Sequence, residues 1–557
     1  MPSEPTQARS LSNAAPPGAP APAIALELPA DLATPTEVNF RTLAGAWVLA
    51  ATALRLFWIS TLPLGNGEAY YYSWSRFLDW SYYDHPPLLT WMVKLFTLFG
   101  TSAFTVRLGP VLCSALFGLL LYRLAERLTG PRAAFFALVV VTALPVFMVS
   151  SFVLNPEAPL APLWVAFLLA VEGMREGDEA SRPIVAGALL GLAFLAKYTA
   201  LLLVPATLLY FALSPHARRW LSRPSLYAGG ALALALALPV LYWNHSRGWP
   251  TLQLHFSERN HLAGPVPGDN AFNDMVADAS ANGSDFAQRF GRGFMGQLLG
   301  YSPLLEPLLL LGLCVSAWRA RRNDVDRFLA VFGLAALIPL FAAIVEVKDS
   351  ELHWTMVAMM PAAIALGRLA EELRPRSRLF RWSLGGGFAV SGLLYLLITI
   401  HIHSALLIRM LPAKHYEPRA DIINELIGWD QVRANVSQVV ADTPGPVVLA
   451  GTQFALCGRL LFEMDDRPPV YCVSARRSEF DFIGRRHPPA DATVIAITTD
   501  ARQELPDELA ERRCTLAQSV EIERGGMNVA RYDIHRCPPL APEIAATAAR
   551  SRAGRPQ

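Results

Sequence analysis

The densest set of reactive side chains is a glutamate among tyrosines, Asn66-Gly67-Glu68-Ala69-Tyr70-Tyr71-Tyr72-Ser73-Trp74, followed by Tyr82-Tyr83-Asp84-His85-Pro86-Pro87. A carboxylate amid aromatics just past an apolar helix suits a general base in a partly desolvated cleft. The same string also reads as an interfacial aromatic belt with one solvated Glu. Leu154-Asn155-Pro156-Glu157-Ala158-Pro159 offers a second carboxylate in a turn stiffened by prolines. It is either reactive or the complement of a helix N-terminus. Lys197 stands alone between two apolar stretches, at Ala196-Lys197-Tyr198-Thr199. An ammonium there either snorkels to the interface or clamps an anion. Lys348 and His353 fall in Glu346–Trp354, which mixes acid, base and aromatic at the start of another apolar run, as a site or as a solvated rim.

These residues need a membrane scaffold. Of 557 residues, 53% are hydrophobic and 17% charged, where a soluble chain averages about 25% charged. Mean hydropathy is +0.31. Apolar runs of roughly 18 or more residues recur, each able to cross about 30 Å of hydrocarbon. A soluble enzyme, a disordered chain and a disulfide mini-domain are excluded, and a net charge of +2 gives no footing for nucleic acid. The chain is polytopic.

Spans are expected near 43–62, 105–122, 133–152, 158–173, 225–243, 293–317, 328–345, 354–373 and 383–406. The run at 184–213 is longer than one crossing and short for two. Arg175 and Arg182 precede it, and Arg218, Arg219 and Arg223 follow. If both flanks stay inside, the run enters and returns as two short helices meeting at Lys197, a common way to build a polar site at membrane depth. Further basic loops at Arg123–Arg132, Arg319–Arg327 and Arg368–Arg381 keep the same phase. The total is about eleven helices, N-terminus inside and C-terminus outside.

Residues 1–42 read as a disordered cytoplasmic tail, 43–410 as the membrane domain, 415–538 as an extracytoplasmic α/β domain and 539–557 as a disordered tail. Strands are expected at Val447–Leu449, Pro469–Val473 and Thr493–Ile497, with helices at 420–440 and 502–512. Cys113 and Cys314 fall in apolar runs. Cys457, Cys472, Cys514 and Cys537 share the outer domain and are compatible with two disulfides of open connectivity.

The strings GEAYYYSWS…YYDHPPL, NPEAPL, AKYTALLL and VK…HW, in that order, resemble glycosyltransferase family 39, relatives of the protein mannosyltransferases and of the bacterial lipid A aminoarabinose transferase. TQFALCGRLLFEM…VYCVSARRSEFDF in the outer domain also resembles bacterial members. The resemblance implies a GT-C fold, a sugar on polyprenyl phosphate as donor, an inner-membrane site facing the periplasm, an envelope acceptor such as lipid A, a glycan, a lipid or a protein, and inversion at the anomeric carbon. Glu68 and Glu157 become the catalytic carboxylates, and Lys197, His85 and Arg107 the cations for the donor phosphate, with Asp84, Tyr83, Tyr198, Lys348 and His353 around them. A lipid phosphate leaving group needs charge stabilisation more than a proton, so one base for the acceptor hydroxyl suffices.

The family usually has Asp-Glu in the first loop, and its Asp is the expected catalytic group; Gly67 stands there. Either Glu68 or Glu157 serves as base, or the loop has another geometry, or transfer is lost. No cofactor is required by this reading. Asp84 and His85 with a distant His255 form either a divalent-metal site or a hydrogen-bonded turn. The competing functions are a transporter or flippase, and an inactive polyprenyl-phosphate-binding homologue. The odd span count and the sizeable outer domain weigh against a transporter.

Reporters fused after Arg219 and after Arg322 are expected to read cytoplasmic, and one at residue 430 external. An internal reading at 430 would place the site in the opposite compartment.

Overall fold

The computed structural model describes residues 38–258, 286–347, 350–412, 415–418, 421–499 and 505–540. The expected tails over 1–37 and 541–557, and Lys348, lie outside them; residues 40–42, assigned to the first tail, begin a helix. Seven helices are long and apolar enough to cross a membrane: Phe40–Thr61, Ala103–Thr129, Glu157–Arg175, Pro224–Ser246, Asp324–Glu346, Leu352–Leu373 and Arg378–Ser404. The first buries Ala44, Val48, Arg55 and Ile59 but turns Leu49 and Phe57 outward. Such outward apolar faces suit lipid, and the chain is a multi-pass membrane protein.

Three expected spans are broken. The run at 133–152 divides into Pro131–Ala143 and Pro145–Ser150, where Pro145 lacks the N–H that would continue the helix. The run at 293–317 is not one helix: Phe286–Tyr301 and Leu305–Arg319 meet at 105° around Ser302-Pro303. Counted as one span, that pair raises the long spans to eight, and three shorter apolar helices accompany them among the described residues. The third break is the expected one. Helix Ser181–Ala196 ends at Lys197, whose backbone is extended, and a 3-10 turn at Tyr198–Leu202 leads into Leu203–Leu213. The two flanks of this hairpin meet, because Arg219 donates to the Gly177 carbonyl at 2.8 Å and Trp220 to that of Met174 at 2.9 Å. Lys197 therefore sits at the opposite end.

The bundle's charges separate accordingly. One end joins the basic loops through Arg127–Glu172 (2.5 Å), Arg175–Asp324 (3.3 Å), Arg319–Glu372 (2.8 Å) and Arg368–Asp326 (3.0 Å). The other end carries Glu68, Glu157, Lys197, His353 and the C-terminal domain.

That domain is a five-stranded sheet in the order β2-β1-β3-β5-β4. Strands β1 (Val447–Gly451), β2 (Val470–Cys472) and β3 (Thr493–Thr498) are parallel, as expected of an α/β unit. The hairpin of β4 (Thr515–Arg524) and β5 (Met527–Cys537) is an addition to the expected strands, closed by Gly525-Gly526 in the positive-φ region that two-residue hairpin turns demand. The expected helix at 420–440 is a 3-10 turn, Ile422–Leu426, followed by Trp429–Ala441. That at 502–512 shows only Asp507–Ala510 among the described residues. Disulfides join Cys457 to Cys472 and Cys514 to Cys537.

Helix Phe454–Met464 seats this domain on the first loop. A Cβ at Gly458 would lie 2.5 Å from the Tyr70 Cα, so only glycine lets the two backbones come this close. Tyr70, Tyr72, Trp74 and Tyr82 share one buried core with Trp429, Val432, Leu456, Leu460 and Tyr532. The tyrosine string is an interdomain core, not an interfacial belt.

Candidate functional site

A cavity of about 2430 Å³ runs from the apolar helices to the underside of the C-terminal domain. Its walls are largely apolar, with Leu190, Phe194, Ala233 and Leu234 on the hairpin side and Leu397, Ile402 and Leu407 near the last span. Its polar end gathers Gly67, Glu68, Asp84, His85, Lys197, Tyr198, Glu351 and His353.

Glu68 begins the short helix Asn66–Trp74 and is 4% exposed. Its Oε1 accepts from Arg107 Nε at 2.7 Å and from the Leu154 N–H at 2.8 Å. Its Oε2 accepts from Arg107 Nη2 and from the Gly65 N–H at 2.8 Å. A carboxylate has about four lone-pair sites, and all four are spent. Arg107, 2% exposed, also donates to the carbonyls of Leu62 at 2.7 Å and Pro63 at 2.8 Å. The structure thus places Glu68 as a clamp with no lone pair left for an acceptor proton, and Arg107 as its counter-ion with donors on all three nitrogens committed. A side chain at Gly67 would instead meet open space on the cavity wall.

The carboxylate of Glu157, 3% exposed at the start of its helix, pairs with Lys197 through Oε1. The same oxygen lies 3.1 Å from His353 Nε2, which lies 3.1 Å from Glu351 as well. Asn155 caps this helix start, accepting from the Ala158 N–H at 3.1 Å. Three loops far apart in sequence therefore meet around the Glu157 carboxylate. Lys197 and His353 line the main cavity, with Glu157 behind them.

The 79–85 loop forms the facing wall. Asp84 accepts from the Tyr70 hydroxyl at 2.7 Å, and that oxygen accepts the Glu479 N–H at 2.9 Å. Ser81 lies 3.4 Å from the Tyr198 hydroxyl, next to Lys197. Burial, with Asp84 and Asp79 nearby, pushes the Glu479 carboxyl well above the usual carboxylate range, and burial does the same to Tyr70. Tyr70 remains a donor to Asp84. Tyr83 turns the other way: its N–H donates to Glu479 Oε2 at 2.7 Å and its ring stacks on Phe482. Tyr83 therefore belongs to the domain interface and not to the cavity wall. His255 approaches as the metal alternative required, but its Nε2 lies 3.2 Å from the Asp84 carbonyl oxygen, and no group of three or more potential metal ligands occurs among the described residues.

Phe454 and Arg476 of the C-terminal domain also line the cavity, and sequence reasoning assigned them no role. Their strings, TQFALCG and SARRSEFDF, were the signal that could have found them.

The chain is similar to known proteins in sequence and in fold. Residues 84–243 match the family described as dolichyl-phosphate-mannose-protein mannosyltransferase. The chain is 26% identical over 343 residues to the lipid A galacturonosyltransferase RgtD of Rhizobium johnstonii, covering 61% of this chain and 67% of that protein. It is 32% identical over 174 residues to an undecaprenyl phosphate-alpha-4-amino-4-deoxy-L-arabinose arabinosyl transferase of Edwardsiella ictaluri, covering only 30% of each. Crystal structures of ArnT from Cupriavidus metallidurans, apo and bound to undecaprenyl phosphate, superpose with TM-scores of 0.58 and 0.57 at 16% and 17% identity. Each covers 89% of this chain and 98% of the other. The fold is GT-C. In class the chain is similar to membrane glycosyltransferases of the mannosyltransferase and ArnT type, and these relatives favour the enzyme over the transporter.

Glu68→Gln should destabilise the protein by about 3–5 kcal/mol, because it leaves Arg107 buried without its charge partner. Thermal unfolding in detergent measures this. Unchanged stability with lost turnover would return Glu68 to the role of base.

Proposed function

We propose that the chain transfers a sugar from a polyprenyl-phosphate donor to a lipid acceptor of the lipid A type, on the periplasmic face of a bacterial inner membrane. The observation that carries this reading is the position of Lys197. It stands at the break between two apolar half-helices, at the polar end of a long apolar cavity, which suits a lipid whose single charged group is a phosphate. The polyprenyl chain lies along the apolar walls, and Lys197 and His85 meet the phosphate oxygens. The relatives' names, which include undecaprenyl phosphate and lipid A, support the donor and acceptor classes.

The acceptor hydroxyl oxygen attacks the anomeric carbon on the face opposite the phosphate, and the carbon–oxygen bond to phosphate breaks with its electron pair leaving on the polyprenyl phosphate. The configuration inverts. Lys197 stabilises the charge that develops on the leaving oxygen. The acceptor proton goes to Asp84, held by Tyr70 on the facing wall, because Glu68 is saturated and Glu157 lies behind Lys197 and His353. Glu157 orients Lys197 and His353.

Lys197→Ala should lower turnover with undecaprenyl-phosphate sugars by roughly a hundredfold or more, and Arg should restore it only in part, since a planar fork differs from a point charge. Asp84→Asn should cost a similar factor while leaving undecaprenyl phosphate binding intact. Wild-type turnover in Lys197→Ala would refute the phosphate clamp. A large gain in Gly67→Asp would show that transfer lacks a base at position 67 and that Asp84 does not supply it.

A further inference from the structure

Glu157, which does not line the main cavity, lines a second, small cavity of about 30 Å³. Its polar lining comes from Arg55, Ser114, Thr142, Ser150, Ser151 and Glu157. Glu157 Oε2 is buried there without a hydrogen-bond partner, although Oε1 of the same carboxylate serves both Lys197 and His353. Arg55, 8% exposed within the helix Phe40–Thr61, donates from Nε to Ser151 Oγ at 2.6 Å. Ser151 Oγ in turn donates to the Met148 carbonyl at 2.5 Å. Among the described residues no carboxylate pairs directly with Arg55.

Two expensive groups thus open on one small space. A guanidinium inside an apolar bundle needs a counter-charge, and an orphan carboxylate oxygen needs a donor. A cavity of this size has room for a water, and the lining offers it the two to four polar partners a buried water needs.

We propose that Arg55 is a positioning residue for the donor site, acting on Glu157 Oε2 through a water held in this cavity. The inference rests on the polyprenyl-phosphate reading and extends it one layer inward. Glu157 is shared between Arg55 on one oxygen and Lys197 with His353 on the other. Arg55 offsets part of the Glu157 charge, so Lys197 keeps a net positive field toward a phosphate. Without Arg55, the full carboxylate charge falls on Lys197 and weakens its hold on an anion.

The test is binding of undecaprenyl phosphate to the purified full chain, in wild-type and Glu157→Gln backgrounds. Arg55→Met should weaken binding about tenfold, or about 1.4 kcal/mol, in the wild-type background. Arg55→Lys should stay within about threefold, because charge and reach are largely kept. In the Glu157→Gln background Arg55→Met should change binding less than about twofold, since coupled residues are not additive. Should Arg55→Met fail to fold, Ser151→Ala, which releases the Nε anchor, should give a smaller loss that likewise disappears with Glu157→Gln. Wild-type binding in a folded Arg55→Met protein, or equal losses in both backgrounds, would overturn the coupling and leave the donor reading standing. A wild-type chain that binds no undecaprenyl phosphate would overturn both.

Discussion

The ion pair between Glu68 and Arg107 is the constraint on which the outer end of this molecule depends. Between two helices of the bundle, the chain must leave the apolar layer, form the tyrosine-rich loop and return. Glu68 ties the loop's short helix to Arg107 and to the Leu154 N–H, while Arg107 reaches back to the carbonyls of Leu62 and Pro63. Three chain segments converge on one carboxylate. A buried pair of this kind contributes little net stability against an apolar replacement, but losing one partner is costly, so its value here lies in fixing one arrangement.

Two consequences follow for the site. With Glu68 turned inward, position 67 and the Asp84-His85 pair are left on the cavity wall. The loop also becomes a platform: Tyr70 and Trp74 are buried beneath the C-terminal domain, and the Glu479 N–H meets the Tyr70 hydroxyl that holds Asp84. The soluble domain is thereby part of the site's construction. Across the cavity, the helix break at Lys197 does the complementary work, delivering one ammonium to the polar end of a cavity whose walls are largely apolar.

Much of this was legible in the sequence. Arg-rich and Arg-poor loops alternate with a fixed phase, and the pairs Arg127–Glu172 and Arg319–Glu372 gather at one end as that phase requires. Lys197 was legible as a helix break because the run around it is too long for one crossing and bounded by arginines on both sides. The meeting of Glu157, Lys197 and His353 was not legible, since each residue reads locally as a capped helix start, a snorkelling lysine or a solvated rim. The ion pair of Glu68 was not legible for the same reason: its partner lies 39 positions away, and a carboxylate's reactivity depends on which lone pairs its partners take. The break at Ser302-Pro303 and the β4–β5 hairpin carried local signals in Pro303 and Gly525-Gly526, but the surrounding hydropathy masked the first and the polar alternation of β4 the second.

A structure of the chain with undecaprenyl phosphate bound tests the central claim most directly. The account predicts the phosphate against Lys197 and His85, with the Glu68–Arg107 pair intact behind it. A phosphate seated on Arg107, with Glu68 swung free into the cavity, would contradict it.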